Sequence, residues 1–198
     1  MYAKVNPAEI RHPGFDYWTE TGWGGISPIS EEELCTKSNP EIAEYLNGFK
    51  ETVGLKSSTK DDLSNMFRIS VSNSPEKFSV DLEPFLNVHG MYQHSLLWGL
   101  IEGWRNKKKF RWNGLFAFIL KVIASDEFWK ESYGENQYNY QDSIISQIAE
   151  LINEGTRDDR HAFDPELLPV AEKILLILLN KTKAHLPEMV DLINSVLN

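Results

Sequence analysis

Three absences in this 198-residue sequence limit what it can be. Its single cysteine, Cys35, can form no internal disulfide and offers no thiolate cluster for zinc, which suits a reducing compartment. Its longest apolar runs, 115–120 and 174–179, are far shorter than the roughly 20 residues that a helix needs to cross a bilayer. Residues 1–10 lack the apolar core of a signal peptide. We therefore expect a cytoplasmic protein without a membrane span.

Positive charge is also in deficit. The net charge is −9 and the isoelectric point is about 5.1, so the average field of the molecule repels nucleic acid and anionic membranes. Hydrophobic residues make up 41% and charged residues 25%, which is close to the composition of globular domains and far from that of disordered chains. The composition therefore predicts a folded core, and nucleic-acid binding would need a local basic patch.

Sustained alternation of polar and apolar residues is missing as well, which argues against a sheet. From Ser30 onward, apolar residues recur every three to four positions, as on one face of a helix. Capping boxes mark helix starts at 30–33 and 59–62, and Asn39 before Pro40 predicts a third capped start. The pattern predicts long helices over 40–53, 60–74, 91–104, 112–123, 140–154, 165–181 and 188–197.

The pattern also predicts how some helices pack. A short connection makes 91–104 and 112–123 antiparallel neighbours, and the helix ending near Lys181 has an all-apolar centre that needs cover on several faces. Gly54 and Gly155 are expected to end helices. Gly99 and Gly103 lie four apart within a helix, where each costs roughly 1 kcal/mol relative to alanine, so we expect another helix to approach closely there.

The fold class that follows is all-α, with antiparallel helix pairs forming an irregular bundle or a short helical-repeat stack. Residues 1–29 read as an irregular arm rich in proline, glycine and aromatics that packs on the body, and 30–198 as one helical domain. The apolar pattern of 188–197 runs to the residue before the last, which fits either an excised piece of a longer chain or a free C-terminal helix.

The order of these signals resembles a known kind of protein. The stretches 27–34, 41–46, 75–78 and 92–104, followed by Trp112, look like helical segments of large, poorly characterised bacterial proteins. The resemblance implies a HEAT-like or armadillo-like region within a longer polypeptide, sometimes beside a nucleotide-hydrolysing module. It carries no catalytic residue to this sequence.

One basic run has two interpretations. Cations interleaved with aromatic rings can grip phosphates and stack on bases. Alternatively, the cations complement the dipole at a helix C-terminus while the rings enter the core. The cations of this run are Arg105, Lys107, Lys108, Lys109 and Arg111, and the rings are Trp104, Phe110 and Trp112.

The histidines and acids match no catalytic or metal motif. His89 and His94 are five apart with no acid between them, unlike the helical zinc motif. The loop acids around His161 fit no calcium loop, and Asp164 reads as a helix cap before Pro165. We therefore assign no catalytic, cofactor-binding or metal-ligating residue, and no cofactor.

These observations favour a non-enzymatic helical interaction or scaffold module of a larger intracellular protein, whose partner is another protein or the rest of its own chain. Two alternatives stay open. One is an enzyme with a dispersed histidine and carboxylate site, which a deep polar pocket holding His94 or His161 beside carboxylates would favour. The other is nucleic-acid binding through 105–111.

Overall fold

The computed structural model describes residues 27–52, 57–130 and 139–182. Within these ranges it contains nine α-helices and three short 3₁₀ helices, and no β-strand, so the all-α prediction is confirmed. The α-helices are α1 Glu31–Thr36, α2 Asn39–Gly48, α3 Lys60–Asn73, α4 Pro75–Ser79, α5 Gly90–Arg105, α6 Trp112–Ala124, α7 Asp126–Lys130, α8 Tyr140–Thr156 and α9 Leu168–Thr182. The 3₁₀ helices are Glu83–Asn87, Asp159–His161 and Pro165–Leu167. No helix of the described ranges is long and apolar enough to cross a membrane.

Some predicted elements lie outside the described residues. They are the helix over 188–197 and all of the N-terminal arm except residues 27–29. Within that short part of the arm, Ile29 is buried in the core.

Local capping signals place two helix starts as predicted. The Ser30 hydroxyl accepts the Glu33 N–H at 3.2 Å, and the Glu33 carboxylate accepts the Ser30 N–H at 3.1 Å. Thr59 and Asp62 form the same reciprocal pair at the start of α3. Because both partners in each box lie within one turn, the sequence alone specifies them.

The start and end of α2 differ from the prediction. Ser38 is the capping residue, and Asn39 is instead the first helical residue. The buried Asn39 amide donates to the carbonyl oxygens of Phe78 at 2.8 Å and Asp81 at 2.6 Å. These hydrogen bonds satisfy two backbone acceptors, one at the end of α4 and one just after it. The helix ends at Gly48, six residues before Gly54, because Phe49 adopts an extended conformation.

A three-helix layer forms the centre of the fold, with α5 packed between α3 and α8. The predicted pairing of α5 with α6 was wrong, because α6 packs mainly against α9, α7 and the 3₁₀ helix Glu83–Asn87. The connection between α5 and α6 buries Phe110 and turns at Lys107, which has a φ of 61°. The connection therefore enters the core instead of acting as a simple hairpin.

The expected close approach at Gly99 and Gly103 is confirmed. A Cβ on Gly99 would lie 2.6 Å from the Arg68 carbonyl oxygen and 2.7 Å from the Val71 Cβ. A Cβ on Gly103 would lie 3.1 Å from the Pro75 ring. The two glycines therefore let α3 and α4 reach the backbone of α5.

Gly155 also has a packing role, and α8 ends one residue after it, at Thr156, close to the predicted end. Gly155 lies inside α8, where a Cβ would be 2.5 Å from the Phe163 ring and 2.7 Å from the Trp112 ring. These rings belong to an aromatic cluster formed by Trp104, Phe110, Trp112, Phe116 and Phe163. The absence of a side chain at 155 thus makes room for the cluster.

The centre of α9 is less covered than predicted. Ile174 and Leu178 are buried against the core, but Leu176 is 42% exposed. In the part of the chain that the structure describes, one face of this apolar stretch is therefore exposed.

Candidate functional site

The basic run begins at the end of α5, where Arg105 meets acids of α8. One terminal nitrogen of its guanidinium lies 2.5 Å from Glu150 and 2.9 Å from Glu154. Hydrogen bonding to Glu154, and then to Glu150, raises the pKa of Arg105 above its ordinary value. Arg105 therefore joins two helices of the central layer.

The other cations of the run divide into two groups. The Lys107 ammonium pairs with Asp158 at 3.2 Å, and Lys108 donates to the carbonyl oxygens of Ser72 and Asn73 at 3.0 Å each. Those carbonyls lie at the C-terminus of α3, where cations are favourable. Lys109 and Arg111 are exposed, and their side chains pair with no acid of the described residues.

The rings within the run lie in the core, as the second interpretation predicted: Trp104 is 5% exposed, Phe110 8% and Trp112 6%. They are therefore not displayed for stacking on bases. Whether Lys109 and Arg111 contact nucleic acid stays a prediction.

A polar cavity of about 340 Å³ lies beside this run, at the C-terminal ends of α5 and α8. It is lined by Trp104, Arg105, Lys107, Glu154, Arg157, Asp158 and His161. It places His161 beside two carboxylates, the arrangement that a dispersed enzyme site would need. Glu150 and Glu154 of α8 were not predicted as part of this site, since no local signal links them to Arg105, which lies 45 and 49 positions earlier.

The groups lining this cavity bind one another. The His161 ring stacks on Trp104 with centroids 3.7 Å apart, and its Nε2 lies 2.9 Å from the Trp104 carbonyl oxygen. Glu154 pairs with Arg105 and Arg157. Hydrogen bonding to the Arg160 N–H, and then to Lys107, lowers the pKa of Asp158. Since these polar atoms are engaged, the cavity reads as an electrostatic link between helices.

His89 and Asp164 have local roles as helix caps. His89 caps α5, its Nδ1 accepting the Met91 N–H at 3.2 Å, and Asp164 caps Pro165–Leu167. Across the part of the chain that the structure describes, no group of three potential ligands could hold a metal ion. His12 and His185 lie outside the described residues.

A second depression lies on the outer side of the central layer, around Trp98. We call it the Trp98 groove; its volume is about 210 Å³. It is lined by Asp61, Ser64, Asn65 and Arg68 of α3, by Met91, His94, Ser95 and Trp98 of α5, and by Tyr140 of α8. Trp98 is 43% exposed, an unusual position for so large an apolar side chain.

Close backbone packing positions the lining of the Trp98 groove. Gly90 lets Tyr140 approach the start of α5, where an added Cβ would lie 3.1 Å from the Tyr140 Cβ. The buried hydroxyls of Ser64 and Ser95 are 2.6 Å apart and hold α3 to α5 at the base. The groove is therefore built on a fixed helix pair.

The charged groups that line the Trp98 groove differ in whether they have an ion-pair partner. Arg68 pairs with Glu102 and lies over the Trp98 ring, 4.9 Å from its centroid. Burial lowers the pKa of His94 below its ordinary value, because it disfavours the charged imidazolium. Asp61 is exposed and forms no ion pair with any described residue.

Trp98 was not predicted as a site residue, although its position in the sequence contains a signal. The buried stripe of α5 contains Leu97, Ile101 and Trp104, and Trp98 is one position off that stripe. It instead shares helical spacing with His94 and Glu102, on a face that should be polar. The helical spacing therefore predicts that Trp98 lies on the polar face of α5 and is exposed.

The sequence of this chain matches no protein-family model, no curated protein and no solved structure. The resemblance to HEAT-like or armadillo-like segments therefore stays a prediction.

Proposed function

We propose that this protein is a non-enzymatic interaction module that binds a segment of another protein, or of a longer polypeptide, through the Trp98 groove. The observation that carries the proposal is the exposure of Trp98 within a formed depression. Tryptophan is enriched among the residues that dominate binding energy at protein interfaces. An exposed ring that could bury much of its area on a partner gives such an anchor.

Preorganisation supports this proposal. The Ser64–Ser95 hydroxyl pair and the contacts of Gly99 fix the floor, and Arg68 covers part of the Trp98 ring. A partner would therefore lose less free energy in ordering this surface than in ordering a loop. We place the module in the cytoplasm, because a lone half-buried cysteine suits a reducing compartment.

The structure supports the two alternative functions less well. In the cavity beside His161, Glu154 and Asp158 are bound by cations, whereas a general base needs a lone pair available to substrate. In the basic run, Arg105, Lys107 and Lys108 are engaged within the chain. Steeply salt-dependent DNA or RNA binding would nevertheless favour the nucleic-acid alternative.

The proposal is tested by comparing two exposed apolar positions. Wild type, Trp98→Ala and Val80→Ala are each used to capture proteins from cells of the source organism, and captured proteins are quantified by mass spectrometry. Val80 is 56% exposed and does not line the groove, so it controls for general surface apolarity. We expect at least one protein bound directly by wild type and Val80→Ala to be lost with Trp98→Ala. Identical sets for all three would overturn the proposal.

A further inference from the structure

We infer that the Trp98 groove selects a peptide segment in which a lysine or arginine stands next to an apolar residue. This inference rests on the proposed function, since it names the chemistry of the segment that the groove would bind.

The charge of the lining is the first argument. Arg68 is paired with Glu102, and burial lowers the pKa of His94 and so disfavours its protonated form. Among the described residues that line the groove, this leaves the Asp61 carboxylate as the uncompensated charge. A cationic side chain placed beside Asp61 would gain a partner there, whereas an acidic one would be repelled by it and by the net charge of −9.

The aromatic and thioether groups are the second argument. Met91, His94 and Trp98 follow one another along the outer side of α5 over about 10 Å, from the rise of roughly 1.5 Å per residue. Tyr140 adds a further ring at the α8 side. Long basic side chains pack their methylene stems on such surfaces while the charged end stays in water or meets an acid. The adjacent apolar residue would cover the exposed part of Trp98.

The size of the groove is the third argument. Its volume of about 210 Å³ falls below the 300–1,000 Å³ that is typical of sites for whole small-molecule ligands. One or two side chains of a peptide suit this space better than a cofactor or metabolite. The occupant is therefore a peptide segment and not a free small molecule.

The test begins with a phage-displayed library of random 12-residue peptides. The library is selected on the full-length protein and depleted on Trp98→Ala. We expect the enriched sequences to share a lysine or arginine beside an apolar residue. The strongest binder is then synthesised with a fluorescent label, and its dissociation constant is measured by anisotropy for the wild type, Asp61→Asn and Glu172→Gln. Glu172→Gln removes the same charge on an exposed position of α9, away from the groove.

We expect Asp61→Asn to weaken binding about two- to fivefold, as for a solvent-exposed ion pair, and Glu172→Gln to leave it unchanged. Replacing the basic residue of the peptide by glutamine should weaken wild-type binding by a similar factor and Asp61→Asn binding much less. Trp98-dependent peptides without a basic residue, or equal effects of the two protein variants, would overturn this inference and leave the proposed function standing. The absence of any Trp98-dependent peptide would overturn both.

Discussion

Trp98 and Trp104 lie six residues apart on the same helix, and their surroundings are opposite. Trp104 is 5% exposed, its indole N–H donates to the Glu154 carbonyl oxygen at 3.1 Å, and His161 stacks on its ring. Trp98 is 43% exposed, with Arg68 over its ring and the His94 ring edge-to-face at 5.5 Å. Trp104 is buried within the fold, whereas Trp98 keeps part of its ring surface exposed to solvent.

The difference shows how one helix can serve stability on one side and recognition on the other. Around Trp104, polar atoms and rings from α6, α8 and the loop before α9 converge. Around Trp98, the described residues form the walls of a groove, and Arg68 lies over part of the ring. A buried aromatic contributes to the free energy of unfolding, while an exposed one can contribute to binding instead.

The largest expected effect comes from exchanging these two tryptophans for alanine. Trp104→Ala should lower the free energy of unfolding by about 3–5 kcal/mol, because it leaves a cavity in the aromatic cluster. Trp98→Ala should lower the same quantity by only about 1–2 kcal/mol, because its ring is already 43% exposed and loses only part of a buried contact. Urea denaturation followed by circular dichroism measures both. Losses of similar size would break the comparison.

A second prediction concerns the face between the two tryptophans. Gly99→Ala should lower the free energy of unfolding by about 1–3 kcal/mol, because the added Cβ would meet backbone of α3 and overpack the helix contact. Gly48→Ala is the matched control, since a Cβ there meets nothing within 4 Å. It should leave stability unchanged or raise it by up to about 1 kcal/mol. A higher melting temperature for Gly99→Ala would contradict the close packing.

The third prediction concerns the buried hydroxyl of Tyr92 on the inner side of α5. Tyr92 is 2% exposed, burial raises its pKa to about 12, and its hydroxyl finds no hydrogen-bond partner among the described residues. Tyr92→Phe should raise the free energy of unfolding by up to about 1 kcal/mol, because it removes a buried, unpaired polar group. Thermal melts at pH 7 measure this change.

The control for this prediction is Tyr45→Phe. The half-buried Tyr45 hydroxyl lies 3.4 Å from the Pro28 carbonyl oxygen, so its loss should lower stability slightly. A clear loss of stability in Tyr92→Phe would mean that its hydroxyl has a partner in solution.

The smallest effect is a pH dependence on the outer side of α5. Burial lowers the pKa of His94 below its ordinary value of 6.5, so the unfolded chain binds this proton more readily than the folded protein. The free energy of unfolding should therefore fall as the pH drops from about 7.5 to about 6. His94→Gln should lose less over the same range, as measured by urea denaturation at each pH. Equal slopes would show that His94 is solvated in the folded state.

Predictions from the sequence succeeded where the controlling interaction is local. The capping boxes at Ser30 and Thr59 involve atoms one turn apart. Gly99 was also interpreted correctly, because a glycine inside a helix has a cost that only close packing offsets. Of the two interpretations of the basic run, the one that places the Trp104 ring in the core is confirmed, and this ring has helical spacing with the buried Leu97 and Ile101.

Predictions failed where the partner is distant in sequence. Asn39 was interpreted as a cap, but its amide bonds carbonyls 39 and 42 residues later. The acids that engage Arg105 lie 45 and 49 residues away on α8. Neither the Trp98 groove nor the charged cavity could be assembled from local signals, since each draws its lining from separate helices.

The sequence by itself determined that this chain folds into helices, where most of them begin, and which residues of each face the core. Helical period and capping depend on interactions between residues a few positions apart, so the local sequence is enough to predict them. The tertiary structure alone decided that α5 lies between α3 and α8 and that Trp98 stays exposed beside Asp61. Those features depend on which helices approach one another, and side-chain contacts across long separations set that choice.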